Sequence, residues 1–330
     1  MRRPAAGACL PWRTSGLIWL AAALLFGSQP GGAAFEFVGA GARAFSLGGA
    51  VAAGSGAAEA IWFNPAANAR VRRWQAGATY ARFYPELDEG LSLSAVDAAL
   101  PVGPGSLQVG LSSFGIDAWR ENVAVLGYGC ALHPRLALGV ALRTGSWDAG
   151  RLSRRVWSGD LGGVYEVGWI HPQAYLRLGT VVRNVNRANL AASRSVAGES
   201  PRGLAGAAAV DVGPQTFLAE VERRGGRAQV RLAYESRPPT LGGIEFRLGG
   251  GLLTGGWEGK EMAAGFGRGW REWQLDYAYV YPLRLTGLGG IHWLSLEYRG
   301  RPAREQADGA GSRRDSLDRR FDPHRVRVPK

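Results

Sequence analysis

"TFLAEVERRGGRAQVRLAYE", residues 216–235, can be folded back on itself on paper. Gly225-Gly226 is a two-residue hairpin signal, because both central positions of such a turn need positive φ. Pairing outward from it matches Val221 with Val230, Ala219 with Leu232 and Phe217 with Tyr234 on one face. The other face matches Glu222 with Gln229 and Glu220 with Arg231. A slip of one residue would mix the two faces, so agreement at five successive pairs sets both hairpin and register. One apolar and one charged face suit a wall with lipid outside and a polar lumen inside.

The same period of two runs through the chain from Arg73 onward. It gives fourteen segments: 73–84, 91–101, 105–115, 119–132, 135–146, 154–170, 174–185, 200–213, 215–223, 227–236, 240–250, 259–268, 271–281 and 290–299. In "YLRLGTVVR" Leu176, Leu178, Thr180 and Val182 share one face, and Tyr175, Arg177, Gly179, Val181 and Arg183 the other. In "EWQLDYAYVY" Trp273, Leu275, Tyr277, Tyr279 and Tyr281 oppose Gln274, Asp276, Ala278 and Val280. Tight turns, "VGPG" (102–105), "HPR" (133–135), "HPQ" (171–173) and "GPQ" (213–215), fall at every second connection. Longer polar stretches such as "PELDEG" (85–90) and "NRANLAASRSVAGES" (186–200) fall between them. Short turns at one end and longer loops at the other is the outer-membrane barrel arrangement. The expected fold is an all-β transmembrane antiparallel barrel of about fourteen strands, residues 73–300. His133 and His171 read as turn residues beside proline.

The first 34 residues read as a secretory signal. Arg2, Arg3 and Arg13 make a basic start, Leu17 to Phe26 is an apolar run, and Gly32-Ala33-Ala34 offers small residues for cleavage before Phe35. Ten apolar residues are too few for a membrane-spanning helix, which needs roughly 20. With no other long apolar run, entry into a bilayer requires a closed barrel. Cys9 departs with the leader, and Cys130 alone excludes an intrachain disulfide.

The formal charge of +12 invites a nucleic-acid reading. The charge is dispersed: three Arg lie in the leader, and residues 301–330 hold nine Lys/Arg against five Asp/Glu. The remaining Arg are scattered at strand spacing, where a nucleic-acid groove needs a basic stripe, so no nucleic-acid partner is expected. Residues 301–330 have few large apolar groups besides Leu317 and Phe321 and read as a flexible basic tail on the periplasmic side. Fifty glycines far exceed the usual share of about 7 %. They sit inside alternating runs such as "LALGVAL" and "MAAGFGRG", where a barrel wall can use them for curvature and small inward positions.

The two ends of the expected mature chain resemble the PorV/PorQ proteins of the FadL-like outer-membrane superfamily. "GARAFSLGGAVAAGSGAAEAIWFNPA" (41–66) is similar to that family's G-A-R-A and G-G-A segment followed by a Trp and an Asn-Pro-Ala turn. "LDYAYVYPLRLTGLGGIHWLSLEYR" (275–299) is similar to its closing strands. Phe63, between Trp62 and Asn64, departs from the usual spacing, as does the 30-residue tail. The resemblance implies a fourteen-stranded barrel in which residues 35–72 fold inward as a hatch. Gly48, Gly49, Trp62, Asn64, Pro65 and Ala66 would be the hatch motif: Pro65 fixes φ and the Asn64 side chain satisfies nearby backbone. The apolar hatch residues Phe45, Leu47, Ile61, Trp62 and Phe63 would meet the inner wall. Arg177, Arg183, Glu220, Arg231 and Asp276 would face the lumen as mutual partners.

Enzyme signatures are missing. Gly39-x-Gly41-x-x-Ala44 with Glu59 imitates a dinucleotide fingerprint but lacks the preceding strand of a βαβ unit. No G-x-S-x-G, phosphate loop or C-x-x-C occurs. Only His292, sharing a face with Leu294, Leu296 and Tyr298, with Ser92 or Ser94 opposite, offers a lipid-facing hydrolase arrangement. No catalytic residue, metal or cofactor is expected. Two functions remain open after the resemblance: a type IX secretion accessory that binds secreted cargo domains, and a FadL-like passive channel for small hydrophobic molecules. Both place the chain in the outer membrane of a Gram-negative-type bacterium, in contact with its lipid.

Overall fold

In a computed structural model, residues 39–300 are described except 55, 88–89, 150–151, 189–201, 225, 255–259 and 284–286. The expected leader (1–34), the tail (301–330) and most of the long polar connection after residue 186 lie outside the described residues. Fourteen strands form a closed ring: β1 Gln75–Phe83, β2 Ser92–Val102, β3 Gly105–Ile116, β4 Trp119–His133, β5 Leu136–Ala149, β6 Leu152–His171 and β7 Ala174–Arg183 make one half. The other half is β8 Gly203–Val212, β9 Gln215–Arg224, β10 Arg227–Ser236, β11 Ile244–Thr254, β12 Lys260–Trp270, β13 Trp273–Pro282 and β14 Ile291–Arg299. Each strand pairs antiparallel with its neighbours in sequence, and β14 closes on β1 with Gln75 opposite Arg299.

The β9–β10 hairpin has the register read from its sequence. Val221 stands opposite Val230, Ala219 opposite Leu232, Phe217 opposite Tyr234, Glu222 opposite Gln229 and Glu220 opposite Arg231. Around the ring the outward positions stay apolar and exposed, as at Leu111, Leu138, Val140, Leu232, Leu248 and Leu294. Exposure of this kind over a whole wall is the signature of lipid as the solvent. Trp74, Trp169, Trp270, Trp273 and Tyr298 gather near the end where the chain enters and leaves the ring, while Tyr80 and Trp157 lie towards the other.

The strand bounds differ from the sequence expectation mainly at β11, which begins at Ile244 and not at 240. Pro239–Leu241 form a 3-10 turn there, and Gly242 and Gly243 follow with φ of 59° and 85°. Five of the six connections at the end where β1 begins and β14 stops are two residues long; β10–β11 is the exception. The opposite end is less uniform than the turn signals imply. It carries the long β7–β8 connection, but β3–β4, β5–β6 and β9–β10 are joined by two residues each. No helix among the described residues is long and apolar enough to cross a membrane.

Candidate functional site

The interior of the ring is occupied by residues 39–72. A short helix, Ala42–Ser46, lies against the inner faces of β11–β14, and a 3-10 turn, Ala58–Trp62, lies against β1–β4. The wall opposite them is built from inward glycines. A Cβ on Gly110 would come within 2.6 Å of Trp62, and on Gly127 within 2.5 Å of Ile61. Gly129, Gly139 and Gly162 leave room for the Asn64-Pro65-Ala66 turn, Gly179 for Ala52, Gly249 for Leu47, and Gly265 for Ser46. Part of the glycine excess therefore serves close approach between the segment and the strands. Gly48 and Gly49 adopt φ of 58° and 77°, which non-glycine residues rarely take, and Gly48 also passes the backbone of Gly250.

Polar bonds fasten the segment where the glycines admit it. Asn64 is fully buried. Its Nδ2 donates to Ala52 O (2.6 Å) and to Gly163 O on β6 (3.2 Å), and its Oδ1 accepts from the Ala66 N–H (3.0 Å). One side chain thus closes the local turn and ties it to the wall. Trp62 Nε1 donates to Asp97 on β2 (3.1 Å), and Ala52 N–H donates to Glu220 on β9 (3.0 Å). Ala42 N–H donates to Ser295 on β14 (2.7 Å). Glu59 is buried over Gly41. Burial holds its carboxyl well above the ordinary carboxylate range, and the positive charge of Arg43 works against that.

Charged inward side chains close on one another in compact groups. Arg183 on β7 bonds Glu222 on β9 (2.7 Å) and also donates to Phe63 O (2.9 Å). Arg231 on β10 bonds both Glu220 and Glu222 at 2.9 Å. Arg177 pairs with Asp211 at 2.9 Å and Arg143 with Asp160 at 3.0 Å. The largest group centres on Arg247, which bonds Glu235 (2.7 Å), Asp276 (2.6 Å) and Glu245. Arg43 of the segment joins at Glu235 (2.9 Å), and Arg237 bonds Glu235 and Glu245 (2.6 and 3.2 Å). In each group cations and anions balance. Removing one member would leave a buried charge unpaired, at about 3–5 kcal/mol.

Of the sequence-selected residues, Gly48, Gly49, Trp62, Asn64, Pro65 and Ala66 all lie within the enclosed segment, and Arg177, Arg183, Glu220, Arg231 and Asp276 all point inward. Arg43, Glu235 and Arg247 escaped selection. Position parity puts Glu235 and Arg247 on the inner face, but only the three-dimensional ring brings them to Arg43. Ser92 and His292 do not form a catalytic pair. Arg82 stands between them in register on β1, so their backbones lie two strand spacings, about 10 Å, apart. His292 Nδ1 instead meets the Tyr277 hydroxyl at 2.8 Å.

The lumen is chemically divided along its axis. Towards the turn end the inner wall is polar, with Gln75, Ser106, Gln108, Gln274 and Glu297 buried. Towards the loop end it is aromatic on the side of β14, β1 and β3, while the β7–β10 side carries the Arg183, Glu222 and Arg231 group. Phe83 on β1 contacts Phe114 on β3 and Trp293 on β14, with ring centroids 5.0 and 5.7 Å apart. Phe45 of the segment stacks on Trp293 at 4.0 Å and meets Phe63 at 6.1 Å. Leu91, Leu93, Val123 and Ile291 extend this surface.

No known family's sequence profile matches the chain, and no curated protein matches it. Solved structures do. The CymD monoaromatic hydrocarbon channel superposes with a TM-score of 0.56 at 15% identity, over 81% of this chain and 98% of that one. The toluene transporter TbuX of Ralstonia pickettii gives 0.56 at 12% identity, over 82% and 100%. A Pseudomonas aeruginosa FadL homologue gives 0.52 at 10% identity, over 81% and 99%. Identities this low establish shared architecture alone: the chain has the closed barrel fold of FadL-like outer-membrane channels.

Proposed function

We propose that this chain is a FadL-like outer-membrane channel that takes small hydrophobic molecules at its loop end. The observation that carries this reading is the aromatic inner surface of Phe45, Phe63, Phe83, Phe114 and Trp293. Ligand sites for apolar molecules are concave and aromatic, with few polar groups. The internally balanced Arg-carboxylate groups agree with it, since charges already paired with one another offer little to select ionic solutes. In this reading residues 35–72 are the hatch, which itself contributes Phe45 and Phe63 to the aromatic surface, residues 1–34 are an export leader removed before assembly, and the protein acts without catalysis. The channels that share the fold are named for toluene and other monoaromatic hydrocarbons, and that class of ligand is proposed here.

The test is a titration of the purified protein with toluene, followed by tryptophan emission. Saturable binding that weakens at least about tenfold in Phe83→Ala and Phe114→Ala, and is unchanged in Tyr298→Ala on the outer face, supports the channel. Absence of saturable binding defeats it. The PorV/PorQ-type reading, in which the barrel binds secreted cargo domains for type IX secretion, draws on the terminal motifs at 41–66 and 275–299. It expects a cargo C-terminal domain to bind and toluene not to.

A further inference from the structure

The outer face of β12, β13, β14, β1 and β2 carries a second chemical pattern, separate from the lumen. Their outward positions from the turn end upward are apolar or aromatic apart from Arg268 on β12 and Ser94 on β2, and none holds a carboxylate: Ala76, Ala78 and Tyr80 on β1 and Leu294, Leu296 and Tyr298 on β14 are typical. At the loop end the composition changes within one row. Ser92, Arg82, His292 and Tyr279 stand side by side across four neighbouring strands. Tyr281 lies two residues further up β13 opposite Met262, and exposed Lys260 begins β12 two residues beyond that, opposite Leu283. Three basic-type side chains are thus spread over four strands, about 15 Å across the wall, with Lys260 about 13 Å further up its strand than the row.

Arg82 and Lys260 have no ion-pair partner among the described residues, whereas Arg120, also near the loop end on β4, has Asp117 at 3.5 Å. His292 is held by the Tyr277 hydroxyl (2.8 Å) and packs beside the Tyr279 ring at 5.0 Å. Tyr279 and Tyr281 are stacked. The row stands just above an apolar band, with tyrosines at the boundary, where membrane-interface aromatics collect. β1 begins and β14 ends at the turn end, and the short-turn end is periplasmic in such barrels, so the row faces the headgroup layer of the outer leaflet.

We propose that Ser92, Arg82, His292, Tyr279, Tyr281 and Lys260 form a binding site for the phosphorylated headgroup of an outer-leaflet lipid. Arg and Lys supply the charge-assisted donors that phosphate oxygens accept. The Ser92 and tyrosine hydroxyls add neutral donors, and the tyrosine rings and the band below them receive the acyl chains. The site depends on the barrel alone and is indifferent to what passes through the lumen.

The experiment is native mass spectrometry of the full chain in detergent with a bis-phosphorylated glycolipid (lipid A) and with its dephosphorylated form. The wild type should retain lipid A and discriminate against the dephosphorylated form. The double variant Arg82→Gln/Lys260→Gln should bind lipid A at least about tenfold more weakly, and His292→Gln severalfold more weakly. Arg268→Gln, an outward arginine towards the turn end, should match the wild type. Heat-modifiable gel migration establishes that each variant is folded, and His292→Gln, which removes no formal charge pair, serves if the double variant does not fold. Undiminished binding in the variants, equal loss in Arg268→Gln, or displacement of lipid A by an excess of inorganic phosphate would each overturn the proposal.

Discussion

Gly179→Val tests whether the wall glycines seat the enclosed segment. Gly179 faces inward from β7, between Val164 and Ala207 on the adjoining strands. Valine suits a strand, so the ladder itself should tolerate it. The new Cβ, however, would run into the backbone of Ala52, not into a side chain that can swing away. Ala52 is also held on both sides, by Glu220 through its N–H and by Asn64 through its carbonyl. Overpacking costs about 1–3 kcal/mol. The hydrogen bond to the carboxylate is worth about 1.5–3 kcal/mol and the neutral one about 0.5–1.5 kcal/mol. A penalty of at least about 3 kcal/mol should shift the balance between seated and unseated segment more than a hundredfold, at about 1.4 kcal/mol per decade. Single-channel recording in a planar bilayer should then show a larger or longer-lived conductance than the wild type, with the barrel still folded by gel migration. Gly251→Val is the control: it also faces inward, but its Cβ would meet only the Gln229 and Glu261 side chains, at 3.2–3.3 Å. If the two variants conduct alike, the seat has no bearing on the pore.

Asn64→Ala removes the donor to two carbonyls and the acceptor of Ala66 N–H; it should loosen the segment by about 1–3 kcal/mol, seen as raised conductance without loss of the barrel. Leu232→Arg, at mid-strand on the outer face, should destabilise folding into lipid vesicles by about 2–4 kcal/mol, while Gln229→Arg on the inner face of the same strand costs far less; equal costs would remove the assigned faces. Glu59 offers a pH test. Its carboxyl is raised on folding chiefly by burial, with Asp276, Glu297 and Asp97 adding to the shift and Arg43 opposing it. A raised acid holds its proton more tightly when folded, so its contribution is complete at low pH and lost as pH climbs through the folded value. Conductance should therefore rise on going alkaline above the ordinary carboxylate range, and Glu59→Gln should flatten that dependence.

Strand number and register were legible because lipid and lumen demand opposite side chains at alternate positions, as the five pairs of the 216–235 hairpin illustrate. The β11 start was not, because the Pro-Thr-Leu-Gly-Gly stretch carries both strand-like residues and turn formers, and the turn won. The seat was invisible for a different reason. A glycine in an alternating run states that a side chain is absent, without stating what fills the space; Gly139 and Gly251 are both inward by parity, yet one meets the Pro65 backbone and the other only side chains. Arg247 was missed because its partners sit on β10, β11 and β13, and Asp276 reaches it only over Gly267 of the intervening β12. Ser92 and His292 show the converse error: shared outwardness suggested a pair, and register kept them apart.

Closure of β14 onto β1 joins Gln75 to Arg299, the most distant neighbours in the ring, and every other ladder is local. The enclosed segment grips strands from both sides of that seam: β2 through Trp62, β9 through Ala52, β10 through Arg43 and β14 through Ala42. A chain that seats this segment early carries an internal mandrel around which the late strands wrap, and it shortens the search that long loops otherwise impose on seam formation. Assembly order is then written into the same contacts that occupy the finished barrel, and a variant that unseats the segment should insert more slowly even when the final wall is unchanged.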